Sequence, residues 1–329
     1  MLKKIIINIL KMGLAFGLIY WLVQSGKLDF SLLSELIKTP SVIIISLVLM
    51  HVLLILVTFR LRIFLHQKVT NPLSFFKIHL SNWIGLFFNS VLPGSVSGDL
   101  IKIFYIQKLD EKLTKKYLLI SVFIDRLVGL IGLILLGGVV SAINYNNLIN
   151  LSTDVSNLTH ANIILSIIIL FFLSILFVMP SLPLKFANFI KDVISINLLH
   201  KIIMKCEELW NDLILFKTKL IGQVLISMLI QATAILVFWY IAEPFSKGEF
   251  TLTTAFSVMP IGFICIAIPI APAGLGVGHV VFEKLLGFFQ ITNGASLFNL
   301  YFFVLIISNL SGVIPYLLHS TKPQKIESK

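Results

Sequence analysis

The stretch Phe75–Asp99, FFKIHLSNWIGLFFNSVLPGSVSGD, decides how this chain is read. It is an apolar run nearly long enough to cross a bilayer, broken by a Pro-Gly-Ser turn and followed at once by an Asp. Proline removes a helix donor and glycine weakens the helix. At membrane depth such backbone is tolerated only where it packs within protein or lines a cavity. Thr251–Glu283 repeats the design, with an apolar run followed by PIAPAGLGVGHVVFE. Two broken segments in corresponding positions of two halves point to a transport site.

Composition agrees with a chain that lives in lipid. Only 12% of residues are charged, about half the share usual in soluble domains, and apolar runs of membrane-spanning length recur along the chain. Cys206 and Cys265 have no Cys/His spacing around them, so both read as inert thiols with no disulfide framework. No metal or other cofactor is expected. The opening MLKKIIINILKMGLAFGLIYWLVQSG has the charged start and apolar middle of a signal peptide. Lys11 interrupts its core and no small-residue cleavage site follows, so it reads as a retained first helix.

Hydropathy places membrane helices at 5–23, 41–59, 117–143, 161–179, 220–241 and 297–318, with broken segments at 75–105 and 253–290. If each broken segment enters and leaves on one side, most of the 26 Lys and Arg fall on one face. The positive-inside rule makes that face cytoplasmic, with both termini inside. The net charge of +11 is thereby read as a membrane-facing bias, with no nucleic-acid partner. The expected fold is an all-α polytopic membrane protein. It has six transmembrane helices and two oppositely oriented re-entrant hairpins, arranged as an inverted repeat of residues 1–150 and 151–329. An eight-helix bundle with two kinked helices is the alternative. Lys185–Lys219 is the one substantial loop, expected as short helices on the cytoplasmic membrane surface, and no room is left for a separate soluble domain.

Three ordered motifs give a resemblance: FFNSVLPGSVSGDLIKIFYIQK, SVFIDRLVGLIGLILL and PIAPAGLGVGHVVFEKLLG. They resemble the membrane domain of the lysylphosphatidylglycerol synthase family, which also occurs alone in flippase-like membrane proteins. The family's first motif usually reads Asn, a Leu-Pro-Gly turn, Gly-Gly-Asp and a basic residue. Asn89, Leu92, Pro93, Gly94, Gly98, Asp99 and Lys102 stand at those places, with Ser97 replacing one Gly and Lys102 standing where Arg is commoner. The Asp-Arg pair followed by Gly is Asp125, Arg126 and Gly129. Gly274–Val277 precedes Gly278 and His279, where the family often has Arg-Glu. The resemblance implies a flippase-like lipid domain. The bifunctional synthases use a further soluble domain for aminoacyl transfer, so this chain is expected not to be an enzyme of that kind.

The residues themselves leave alternatives open. A charge at mid-membrane costs about 2.5–3.5 kcal/mol on insertion scales, so each is a functional candidate. Asp99 and Lys102, three apart on one helix face, form a headgroup or proton site, or a structural ion pair closing the hairpin. Asp125 and Arg126 point about 100° apart and do not pair with each other. Arg126 pairs with Asp99 across the bundle or holds a lipid phosphate. His79, Asn82 and Asn89 form a polar stripe, either facing a wet cavity or bonding between helices. His279 and Glu283, four apart, could relay a proton or hold a metal. Gly274 and Gly276 allow close packing or leave amides facing an anion.

Three function classes follow. A transporter would draw anionic or polyprenyl-linked lipid from the cytoplasmic leaflet of the cell membrane into a midplane cavity built by Asn82, Asn89, Pro93, Gly94, Asp99, Lys102, Asp125, Arg126, Gly274, Gly276, His279 and Glu283. An accessory protein would serve a neighbouring lipid-modifying enzyme. A membrane enzyme would need a nucleophile or metal cluster, and none is evident in the sequence. A homo-oligomer is compatible with each.

Overall fold

A computed structural model describes residues 31–67, 69, 72–91, 97–110, 112–193, 197–246, 248–268 and 274–320, with residues 20 and 24. Apart from Tyr20, the helix expected at 5–23 lies outside the described residues, as do the turn residues Leu92, Pro93 and Gly94. All regular structure among the described residues is helical. The helices are α1 (Ser31–Ile37), α2 (Pro40–Leu65), α3 (Phe75–Val91), α4 (Ser97–Gln107), α5 (Lys115–Ile143), α6 (Tyr145–Ile149) and α7 (Thr153–Val178). They continue as α8 (Leu182–Val193), α9 (Asn197–Ala242), α10 (Leu252–Ala267), α11 (Val277–Gly287), α12 (Gly294–Leu310) and α13 (Val313–Ser320).

Five stretches of the described chain are helices long and apolar enough to cross a membrane: α2, α5, α7, residues 216–245 and residues 294–318. They match the expected spans in place and differ at the ends. The α2 helix runs six residues past the expected 59, because Arg60 and Arg62 both find partners along it. Arg60 bonds Asp125, and Arg62 donates to the Leu73 carbonyl at 3.0 Å. The α7 helix starts at Thr153, eight residues early, because the Ser152 hydroxyl accepts the Val155 N–H and caps it. The expected loop at 185–219 holds α8 as a short helix, but from Asn197 onward it is one continuous helix with the following span. At 46 residues, α9 is about 70 Å long. That is over twice the hydrocarbon thickness of about 30 Å, so its polar first half projects beyond the bilayer.

Each broken segment folds back on itself. In the first, the N–H of Gly98 on α4 donates to Asn89 Oδ1 on α3 at 2.8 Å. The backbones meet so closely that a Cβ on Gly98 would lie 1.9 Å from the Gly85 carbonyl oxygen. In the second, Gly262 of α10 lies against the Phe282 ring of α11. The α5 helix is the centre of the bundle, packed on α7, α9 and α10. Two thirds of its apolar window is buried, against 17% for α7. The outer face of α7 presents Ile164, Ile167, Leu170, Phe171 and Phe172, all more than half exposed. Such a continuous apolar surface belongs in lipid rather than water.

The second broken segment has an aromatic core. Phe238, Phe250, Phe282 and Phe298 are fully buried together, with Phe282 and Phe298 stacked at 5.0 Å. The first relies on Leu61, Leu65, Ile78, Ile103 and Leu118.

Candidate functional site

Asp99 sits in the first turn of α4, where the helix dipole favours a carboxylate. It is buried, and its two oxygens are divided between two cations. Oδ2 meets Arg126 Nη2 at 2.5 Å and Oδ1 meets Lys102 Nζ at 3.2 Å. The expected convergence of Asp99 and Arg126 from distant parts of the chain is therefore present, and so is the i,i+3 pair with Lys102. Lys102 is almost fully covered, whereas the Arg126 side chain is 46% exposed.

Asp125, one residue before Arg126, turns about 100° away as helix geometry requires. It meets Arg60 in a two-point bridge, Nε to Oδ1 at 2.7 Å and Nη2 to Oδ2 at 3.0 Å. Arg60 Nη1 donates to Ser227 Oγ of α9 at 2.7 Å. Both side chains are about 95% buried. By hydropathy Arg60 lies one residue past the expected helix end at 59 and reads as a loop charge; the structure places it here. The available signal was Asp125 itself, an intramembrane carboxylate with no partner in its own neighbourhood.

Two cavities flank Asp99. The larger, about 920 Å³, lies between α4, α5, α9, α10 and α12. Arg60, Asp99, Arg126 and Gln231 form its polar end, and Phe263, Ile266 and Tyr301 part of its apolar wall. Leu100 and Phe123 also line it and are about half exposed, so the cavity opens sideways onto the lipid-facing surface. The smaller, about 60 Å³, is lined by Asn82, Asn89, Asp99 and Lys102 with Leu54 and Gly85. It has room for water bonded to those groups.

The remaining expected site residues divide clearly. Asn82 is buried and donates to Thr58 Oγ1 at 2.9 Å. Asn89 locks the hairpin through the Gly98 N–H. Gly274 and Gly276 have φ of +77° and +76°, left-handed values that favour glycine, and Gly276 precedes the first turn of α11. His279 Nε2 lies 3.3 Å from Asn299 Oδ1, and its ring stands edge-on to Phe298. Glu283 Oε2 accepts the Ala295 N–H at 3.0 Å, at the start of α12. Neither His279 nor Glu283 lines either cavity. The described residues contain no group of three or more metal-ligating side chains.

Lipid-facing apolar helices, two folded-back helix pairs and a side-opening cavity with buried charges define a multi-pass helical membrane protein. The chain belongs to the family described as Lysylphosphatidylglycerol synthase TM region, whose model matches residues 8–318. No curated protein and no solved structure matches it.

Proposed function

We propose that this protein is a flippase-like transporter that takes the anionic headgroup of a membrane lipid into the cavity beside Arg126 and Asp99. The observation that carries the reading is the cavity itself, about 920 Å³, apolar over most of its wall, open to the side and charged at one end. That shape suits a lipid whose chains stay in the bilayer while its headgroup enters protein. Arg60, Lys102 and Arg126 face Asp99 and Asp125, which leaves one positive charge in excess. A singly charged phosphodiester would balance it. Arg126 is the group placed to hold that phosphate, since its guanidinium is the exposed member of the cluster and suits two-point contact.

The packing supports an inverted repeat with re-entrant hairpins. The α3 helix of the first hairpin packs on α2 of its own half and on α12 of the other; α10 of the second packs on α9 and on α5. Each crossed contact is a close one: Asn309 Nδ2 donates to Ser90 Oγ at 3.0 Å, and Gly137 lies against Pro260. The reading has six crossings, both termini in the cytoplasm of a cell membrane, and no catalytic step. A cysteine at Asn147 should then be labelled from outside and one at Lys112 should not.

The decisive experiment uses vesicles containing the purified protein and a fluorescent phosphatidylglycerol, with phosphatidylcholine as the neutral control. Translocation of the anionic lipid by wild type and its loss in Arg126→Gln and Asp99→Asn supports the site. Normal rates in both variants remove it. No translocation by wild type, with altered activity of a co-reconstituted lipid-modifying enzyme, replaces transport by an accessory role.

A further inference from the structure

His51 on α2 and His79 on α3 face each other with their Nε2 atoms 3.3 Å apart. His79 Nδ1 lies 3.3 Å from Thr58 Oγ1. The Thr58 hydroxyl donates its one proton to the Leu54 carbonyl at 2.7 Å and accepts from Asn82 Nδ2 at 2.9 Å. A hydroxyl has a single proton, so His79 Nδ1 must carry the N–H and donate it to Thr58. In neutral His79, Nε2 is then a bare acceptor, and His51 Nε2–H donates to it. The surrounding bonds fix the tautomers of both rings.

We infer that His51 and His79 form a binding site for one proton, coupled through Asn82 to headgroup binding at Asp99 and Arg126. The coupling rests on the transport reading above. The proton adds to His51 Nδ1, the pair's nitrogen outside both the bridge and the Thr58 bond. His51 becomes an imidazolium and still donates to His79. A second proton would put N–H on both facing Nε2 atoms and break the contact. The pair therefore takes one proton with its bridge intact and not two.

Trp83 and Phe75 enclose the pair, at ring separations of 4.8 Å from His51 and 5.9 Å from His79. Among the elements packed on α2 and α3, α4 brings Asp99 and Lys102, bonded to each other, and α13 brings Tyr316. The α5 helix brings Asp125 and Arg126, each in an ion pair. The α1 helix carries the exposed Glu35, α12 carries Tyr301, and α9 bears its charged residues before position 220. On α2 itself, Arg60 and Arg62 turn to Asp125 and the Leu73 carbonyl; Lys77 is the cation on α3.

Asn82 belongs both to the Thr58 bond and to the wall of the small cavity that it shares with Asn89, Asp99 and Lys102. The polar groups thus extend from the histidines through Thr58 and Asn82 to the small cavity whose wall Asp99 and Lys102 complete, and Asp99 also lines the lipid cavity. A proton on the pair makes that end of the chain more positive, which favours an anionic headgroup beyond it. One proton carried with one singly charged phosphodiester makes the transfer electroneutral, so the membrane potential neither drives nor opposes it.

The test begins with 15N-histidine NMR of the full-length protein in vesicles. The expected result is a neutral pair with His79 as Nδ1–H and His51 as Nε2–H, which takes up one proton as pH falls from 8 to 5. In His79→Gln, the His51 ring should lose its fixed Nε2–H tautomer. Two independent titrations unaffected by the partner's replacement, or no proton uptake in that range, overturn the site. Coupling is read from native mass spectrometry with phosphatidylglycerol. Wild type should bind several-fold more tightly at pH 5.5 than at 7.5, and His79→Gln should lose that difference; an equal difference in both proteins overturns the coupling. A wild type that takes up the single proton but neither binds nor moves anionic lipid retains the proton site and removes the transport reading and its coupling.

Discussion

Asp125 and Arg126 are neighbours in sequence, yet they belong to opposite kinds of charge cluster. The Asp125 pair with Arg60 is about 95% buried, made at two points and extended by Ser227, although Arg60 reaches the cavity wall. The Arg126 pair with Asp99 lies on the wall of the same large cavity, with nearly half the Arg126 side chain exposed. The 100° step of the helix separates them. A buried two-point pair at membrane depth gains little from a ligand, because both carboxylate oxygens are already bonded to one guanidinium. An open one can exchange a protein partner for a phosphate. Burial and completeness, rather than the presence of charge, distinguish scaffold from site.

The largest expected effect lies on the closed side. Replacing Arg60 by Leu leaves Asp125 charged and unmatched in the core, which costs about 3–5 kcal/mol. Little folded protein should survive detergent extraction, as read by size-exclusion chromatography. The double variant Arg60→Met/Asp125→Leu should recover much of the folded yield, since an apolar pair of similar volume avoids the lone charge. A single variant as stable as wild type would erase the distinction between the two clusters.

A smaller effect is expected where the hairpin carries the open cluster. Gly98→Ala drives a Cβ to 1.9 Å from the Gly85 carbonyl oxygen, so α3 and α4 must separate. The cost is about 1–3 kcal/mol, as for other overpacked contacts, and the Asn89 bond to the Gly98 N–H is strained with it. Thermal unfolding in detergent measures it, and an unchanged midpoint would mean that the hairpin yields freely.

Arg126→Gln should change stability least of the three, by less than about 1 kcal/mol, because nearly half the side chain is exposed and Asp99 keeps Lys102. Its effect should appear in anionic lipid retained through purification, measured by native mass spectrometry. Unfolding as severe as that of Arg60→Leu would make Arg126 a structural residue after all.

The same contrast explains what was legible in the sequence. Apolar runs announce their own helices, so five of the six expected spans stand in place among the described residues. The convergence of Asp99 and Arg126 followed from the cost of leaving either alone in lipid. Arg60 was hidden because it lies one residue beyond an apolar run, where a charge reads as loop. Tertiary pairing, invisible to a hydropathy window, carries the helix through it. The same blindness turned the polar start of α9 into an expected loop. His279 and Glu283 share a face by spacing, but His279 meets Asn299 and Glu283 meets the start of α12. Periodicity gives a direction around a helix and no partner.

The smallest expected effect tests the end of the helix that carries Arg60. Just beyond α2, His66 Nε2 accepts the Leu73 N–H at 3.0 Å, and Arg62 donates to the Leu73 carbonyl. Desolvation holds the His66 pKa below its usual value, helped by the positive charges of Arg62 and Lys219. A depressed pKa means that the folded state binds the proton less well than the unfolded state. The stabilising contribution is therefore complete above the ordinary histidine pKa of about 6.5. It is lost as pH falls through the folded-state value. Once protonated, Nε2 becomes a donor and can no longer accept from Leu73. Wild type should lose unfolding midpoint between pH 7.5 and 5 relative to His66→Gln, which keeps a hydrogen-bond acceptor without titrating there. If the two midpoints fall in parallel, the helix end is held by Arg62 alone, and the anchoring of the closed cluster does not depend on pH through His66.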